Sequence, residues 1–280
     1  MKTKIYLQFA FLTFLMTSCM SSSYYQVYKT EPSDKNLLKE NSLVYEDENC
    51  KVFYDFWSEN GNVGFRFFNK TNGTINLNLK ESYFILNGIA NNYYLNRIYT
   101  NSKNIGASSV SSVGVSKSIT GINYFDFLQT NKLLTTSSSG VSSTQGFSVA
   151  YTEESTVSIP SNTSKIITEY NLNNSIYRDC DLNKFPTKKQ IRTKSFTKST
   201  SPLVFSNRIV YLTENGVIPT KFENEFYVTE ITNYSESDIA DKKYEEFCNQ
   251  KGSVPTLFFK DISPIKFYVK YTKGMDSWIH

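Results

Sequence analysis

The chain of 280 residues carries one histidine, His280, at its last position. A Ser-His-Asp triad, a Cys-His pair or a multi-histidine zinc or iron centre needs imidazole held in a folded interior, and a chain terminus frays. Those chemistries are excluded unless His280 folds back. No GxxxxGK[ST] or GxGxxG run is present to cradle a phosphate. Carboxylates remain: Asp47, Glu59, Asp126, Glu153 and Glu154 are candidates for the paired acids, about 5–9 Å apart, of a glycosidase-type cleft. Such acids more often sit solvated in turns. A carboxylate-dependent hydrolase of polysaccharide or peptidoglycan is therefore the alternative reading, and no catalytic residue, cofactor or metal ligand set is assigned.

Sulfur offers a second chemistry. Lys2 and Lys4 precede an apolar stretch from Ile5 to Met16, interrupted only by Gln8 and Thr13. About a dozen residues suit a signal-peptide core and fall short of the roughly 20 that span a bilayer. The Met16-Thr17-Ser18-Cys19 that follows resembles the lipobox of bacterial lipoproteins, in which small residues admit a signal peptidase and the cysteine receives the lipid. Cys19 is thus the expected lipidation site (palmitate or a similar acyl group), with residues 1–18 removed as leader. More than one acyl chain, at about 0.8 kcal/mol per buried methylene, holds a protein stably on a membrane. Cys50, Cys180 and Cys248 then remain in an oxidising compartment, an odd number that permits one disulfide. Cys50 and Cys180 lie in polar, loop-like settings and are the preferred pair; three reduced, buried thiols are the alternative. The spacings match no metal site.

The elements that would carry these groups are strands. Twenty tyrosines and 21 phenylalanines supply most of the 15% aromatic content, while alanine is scarce. The formal charge of +4 falls by Lys2 and Lys4 to +2 without the leader, and demands no acidic partner. In 51–88, apolar and polar residues alternate through Val63-Phe68 and Ile75-Leu79 around Asn72-Gly73, which predicts a hairpin within a four-strand meander closed by Asn-Gly turns. Residues 89–99 are read as a continuation. Residues 101–165 read as a Ser/Gly-rich insertion enclosing the aromatic island INYFDFLQ, with two short strands near 155–172 around a Pro-Ser-Asn turn. Alternation returns after Ser201. One helix near 236–250 is expected, capped by Ser235 or Ser237 and ended by Lys251-Gly252, with Ala240, Tyr244, Phe247 and Cys248 as its core stripe. The whole reads as an all-β fold: a single antiparallel β-sandwich domain over 19–280, immunoglobulin-like, with the insertion and one packed helix.

Two further features bear on binding. Residues 184–198 gather Lys184, Lys188, Lys189, Arg192, Lys194 and Lys198 around Phe185 and Phe196. Without a nucleic-acid module, a solvated basic loop or edge strand is expected in preference to a polyanion site. Tyr24, Tyr25, Tyr28, Tyr93, Tyr94 and Tyr99 are either sugar-stacking surface rings or, more often, covers for sheet faces.

The segments YYQVYKT, ENCKVFYDFWSENGNVGFRFFNKTN, SYFILNGIANNYY, YRDCDL and FYVTEITNY, following the lipobox, resemble an uncharacterised family of lipoproteins of Bacteroides-type bacteria. The resemblance implies a location and a β-sandwich, and no activity. In such bacteria an acidic tract after the lipidated cysteine resembles a surface-export signal; MSSSYY lacks it, and residue 20 is not aspartate. The expectation is an outer-membrane, lipid-anchored protein facing the periplasm, with the cell surface as the alternative. Its role is expected to be that of a non-enzymatic binding or interaction module. The expected partners are the membrane through the lipid and an envelope protein or glycan, with no nucleic acid.

Overall fold

A computed structural model of the chain describes residues 22–40, 42–104 and 146–274. The leader, Cys19, Asp126, His280 and the 105–145 part of the insertion, with its aromatic island, lie outside the described residues. Along the chain the strands are β1 (Ser23–Pro32), β2 (Leu38–Lys39), β3 (Ser42–Glu46), β4 (Cys50–Tyr54), β5 (Phe65–Asn69), β6 (Ile75–Asn78), β7 (Tyr83–Leu86) and β8 (Ile89–Asn92). After them come β9 (Ile98–Asn104), β10 (Gly146–Thr152), β11 (Thr156–Ile159), β12 (Ser164–Ile167), β13 (Thr193–Ser195), β14 (Val204–Thr213) and β15 (Thr220–Ser235). A helical turn, α1 (Glu236–Ile239), leads into β16 (Ala240–Phe247), β17 (Gln250–Phe259) and β18 (Lys266–Thr272).

Two antiparallel sheets face each other. Nine strands form the larger, in the order β11-β6-β14-β15-β1-β18, with β13 beside β15 and the β7–β8 hairpin beside β14. Five form the smaller, β12-β5-β4-β3-β2. The all-β antiparallel sandwich read from composition and alternation is what forms, with more strands than the seven of a constant-type immunoglobulin domain. On β5, Phe65 and Phe67 point inward and are fully buried, whereas Arg66 turns outward and stacks 3.9 Å over Phe53 on β4. Aromatic rings knit the layers: Tyr54 meets Phe226 at 5.2 Å, and Phe67 meets Tyr211 at 5.5 Å. Burying each such side chain contributes about 1.5–3 kcal/mol, which is why a chain poor in alanine and rich in phenylalanine closes as a sandwich. Gly61, at φ +69°, lets the 58–61 loop press on this core; a Cβ there would lie 2.8 Å from Phe267.

The Asn72-Gly73 hairpin does not form. β5 lies in the smaller sheet and β6 in the larger, and neither residue of the dipeptide has positive φ. Paired side by side, the two strands would spread Phe65, Phe67, Ile75 and Leu77 over one face; in opposite sheets they bury those residues against each other. β11 and β12 cross between the same two sheets in the other direction, around the Pro160-Ser161-Asn162 turn. The two crossovers are joined by Asn69, which is fully buried. Its amide donates to the carbonyls of Gly73, Ile159 and Pro160 at 2.8, 2.9 and 3.1 Å, and its oxygen accepts from the Thr71 N–H and hydroxyl at 2.8 and 2.7 Å. The dipeptide that does make a two-residue hairpin is Asn87-Gly88, both at positive φ, between β7 and β8.

The insertion is narrower than its composition suggests. β9 and β10 pair with each other as a two-stranded ribbon, while β11 and β12 belong to the sheets of the body. The helix near 236–250 is also shorter. α1 lasts one turn, with Ser235 as its cap, and the rest of that stretch pairs with β17. Tyr244, Phe247 and Cys248 are accordingly exposed and not a core stripe. Their three- and four-residue spacing suits a helix, but Leu257 and Phe259 need a strand partner to reach the body, and tertiary pairing overrides local pattern.

Candidate interaction surface

The hairpin β16–β17 is built outward from one anchored end. Ile239, Ala240, Leu257 and Phe259 pack on Tyr25, Val27, Tyr234 and Tyr268, on the face of the larger sheet turned away from the core. Phe259 sits among Tyr268, Trp57 and Tyr25 at centroid distances of 4.8, 5.1 and 5.6 Å. Beyond that root the ribbon leaves the body, and Cys248 and Asn249, both at positive φ, turn its tip. Tyr244 (57% exposed), Phe247 (82%), Val254 (72%) and Phe258 (42%) line the arm. Neither edge of the arm is paired with another described strand. An isolated two-stranded ribbon is marginal in water, and large rings with open backbone edges are what strand-adding and apolar partners use. Lys242, Lys243 and Lys251 on the arm discourage indiscriminate strand addition.

A groove of about 240 Å³ lies beside the root, floored by Val27, Thr232 and Tyr234. Its charges are mutually satisfied. Lys29 pairs with Glu230 at 2.6 Å, Lys266 with Asp261, and Lys260 with Asp241 at 3.3 Å. Asp238 accepts from the Ser235 hydroxyl at 2.6 Å. The groove is electrically balanced, so it selects no strongly charged ligand.

The acids singled out in sequence are dispersed. Asp47 accepts from the backbone of Asn49 and Cys50 and from the Tyr211 hydroxyl, at 2.8, 2.7 and 2.8 Å. Glu59 bridges to β18, three strand positions from the β14 that carries Tyr211. Glu153 takes the Arg97 guanidinium at 2.5 Å, and Glu169 takes its other arm at 2.6 Å. Burial alone would raise the Glu153 carboxyl; donors from Arg97 and from the Leu95 and Arg97 backbone hold it below the ordinary range. The Asp47 and Glu153 carboxylates tie loops to the body, Glu59 is held through its backbone bridge to Tyr268, and Glu154 is exposed. Among the described residues no group of three His, Cys, Asp or Glu side chains could hold a metal ion.

Cys50, Cys180 and Cys248 are free thiols, so the Cys50–Cys180 bond is not made, and the three are not all buried. Cys50 lies beside Asp47 and Tyr211, which is opposite Thr220. Cys180 shares an apolar groove with Asn233, thirteen residues farther along β15 from Thr220. That separation is on the order of 40 Å at about 3.3 Å per residue, against the roughly 7 Å limit between bridged Cα atoms. Burial and the Asp47 carboxylate push the Cys50 thiol pKa well up, whereas the other two are exposed. A soluble form (residues 20–280) is expected to show two fast-reacting thiols towards a disulfide reagent and a third after denaturation. A single reactive thiol after denaturation would restore the disulfide.

The 184–198 segment is partly neutralised and folded onto the body. β13 pairs with β15; Lys194 meets Asp181 at 2.7 Å and Asp179 at 3.3 Å, and Lys198 pairs with Glu225. Of the tyrosines, Tyr25, Tyr28 and Tyr93 are buried and Tyr24 packs between Phe185 and Tyr271. They cover sheet faces. Sequence pattern missed the arm, because an exposed hairpin has no burial to impose alternation, and its first strand, ADKKYEEF, is made mostly of residues that are depleted in strands. No family model, curated protein or solved structure matches the chain.

Proposed function

We propose that the protein is a lipoprotein of the bacterial envelope, anchored through an acylated Cys19, that acts as a non-enzymatic interaction module and grips its partner with the β16–β17 arm. The arm is the observation that carries this reading: a ribbon rooted in an aromatic cluster and otherwise clothed in exposed rings. Its two open edges favour a polypeptide partner in the envelope over a glycan. The lipobox-like Met16-Thr17-Ser18-Cys19 supports the anchor, and the absence of an acidic tract after it favours the periplasmic face of the outer membrane.

Capture from envelope extracts with the soluble form tests the binding role. One defined partner is expected to be enriched, and the triple variant Tyr244→Ser, Phe247→Ser, Val254→Ser is expected to weaken its capture at least tenfold, since exposed aromatic anchors are each worth about 2 kcal/mol or more at an interface. Circular dichroism of the variant should stay native, because these side chains touch no core. Equal capture by the variant would move the site off the arm, and failure to retain any component would end the binding reading.

A further inference from the structure

We infer that the end of the sandwich from which the chain leads back to Cys19 is a docking face for an anionic lipid bilayer, on which Lys188, Lys189, Arg192 and Lys273 contact headgroup phosphates. The inference rests on the acylation of Cys19 proposed above and adds how the body sits once anchored.

Registers define this end. β1 starts at Ser23 opposite Thr272, and Tyr24 stands between Tyr271 and Ser235. Lys273 N–H donates to the Ser22 carbonyl at 3.1 Å, which fixes Lys273 beside the first described residue. The segment 183–192 arrives at the same level. β13 runs antiparallel to β15 with Thr193 opposite Thr232, so the residues before Thr193 extend toward Ser235. The Asn233 amide donates to the Asn183 carbonyl at 2.9 Å, and the Asn183 amide to the Gln190 carbonyl at 3.0 Å.

The basic residues are presented on a held surface. Thr187 donates its backbone N–H and its hydroxyl to the Gln190 side-chain oxygen at 3.1 and 2.9 Å, and the Gln190 N–H returns to the Thr187 carbonyl at 2.8 Å. That turn displays Lys188 and Lys189, both exposed, with Arg192 beside them. None of these three, nor Lys273, makes an ion pair with a described residue, whereas Lys194 and Lys198, farther along the same segment, do. The two acids of the neighbouring loop, Asp179 and Asp181, are both engaged by Lys194. Of the acids just past Ser235, Glu236 pairs with Lys242 at 2.6 Å and Asp238 accepts from the Ser235 hydroxyl, so the four basic residues have no acidic partner among the described residues. Between the lysines, Phe185 meets Tyr24 edge-on at 5.1 Å and Tyr271 at a tilt at 6.0 Å, with the Lys273 ammonium 5.8 Å from its ring; part-wet aromatic rings suit the water–lipid boundary.

Tether length supplies the partner. Cys19 precedes Ser22 by three residues, a reach of at most about 11 Å, close to the Debye length of about 8–10 Å at physiological salt. An acylated Cys19 would place this end, and no other, within electrostatic reach of headgroups.

The test is co-sedimentation of the unlipidated form (residues 20–280), which keeps every buried core residue, with vesicles of phosphatidylcholine alone or with added phosphatidylglycerol. Binding is expected only to the anionic vesicles and is expected to fall with added salt. Each basic residue at a membrane surface contributes about fivefold in partition. The triple variant Lys188→Glu, Lys189→Glu, Arg192→Glu should therefore lose binding more than tenfold. The matched variant Lys35→Glu, Lys80→Glu, Lys221→Glu, with the same charge change elsewhere on the body, should keep most of it. Equal loss in both variants, or equal binding to both vesicle types, overturns the docking face. Acylation is read separately from the mass of the full-length protein recovered from membranes. An unmodified Cys19 would remove the anchor, while a lipidated chain whose soluble form ignores anionic vesicles would keep the anchor and sink the docking face.

Discussion

Replacing Asn69 by leucine is expected to lower the unfolding free energy by about 4 kcal/mol, read from the shift of a urea midpoint at unchanged slope. The side chain has no solvent exposure and serves three carbonyls on two separate crossovers. Leucine fills the volume but takes this partner from the Ile159 carbonyl and the Thr71 N–H, each stranded group costing about 1–3 kcal/mol, while the Gly73 and Pro160 carbonyls keep the Thr71 and Thr163 hydroxyls as donors. Thr71→Val, which removes only the hydroxyl bonded to Asn69 and Gly73, should cost about 1 kcal/mol. A loss below about 1 kcal/mol for Asn69→Leu would mean that the crossovers hold themselves together without the clamp.

Phe226→Ala is expected to destabilise by a similar amount, about 4 kcal/mol. Phe226 is fully buried in the middle of β15 and touches Phe56, Tyr54 and Phe205 at 5.0, 5.2 and 5.5 Å. These come from the loop after β4, from β4 itself and from β14, so the cavity would open where both sheets and a loop meet, with rings too large to collapse into it. Phe247→Ala offers the contrast. At 82% exposure on the arm, it should change stability by no more than about 0.5 kcal/mol. If the two substitutions gave comparable losses, the arm would be part of the stabilised body and would be unsuited to a partner.

These contrasts show which parts of the molecule local pattern could announce. Phe65, Arg66 and Phe67 alternate because one face of β5 is buried and the other wet, and period-two burial survives whatever the strand pairs with. Asn87-Gly88 turns as its composition demands, since both residues tolerate positive φ. Asn72-Gly73 has the same letters and does otherwise: the strands on either side of it are needed in opposite sheets, a requirement set by residues as distant as Tyr211 and Ile159. The Cys50–Cys180 pair failed for the same reason, since polar surroundings in sequence say nothing about position along a long strand such as β15. The proposed arm was hidden because Tyr244 and Phe247 repeat at helical spacing while remaining outside any core.

Composition and alternation were enough to dictate an antiparallel all-β sandwich, because they act through each residue's own preference for a half-buried pleated surface. The acid-poor Ser22 end and the lysines of 184–198 were likewise visible as letters. Tertiary structure alone decided that β5 and β6 part company, that one helical turn gives way to a protruding ribbon, that Tyr25, Tyr28 and Tyr93 are buried, and that four basic residues without ion-pair partners gather where β1 begins. Each of those outcomes is an agreement between segments tens to hundreds of residues apart, and no local energy contains it.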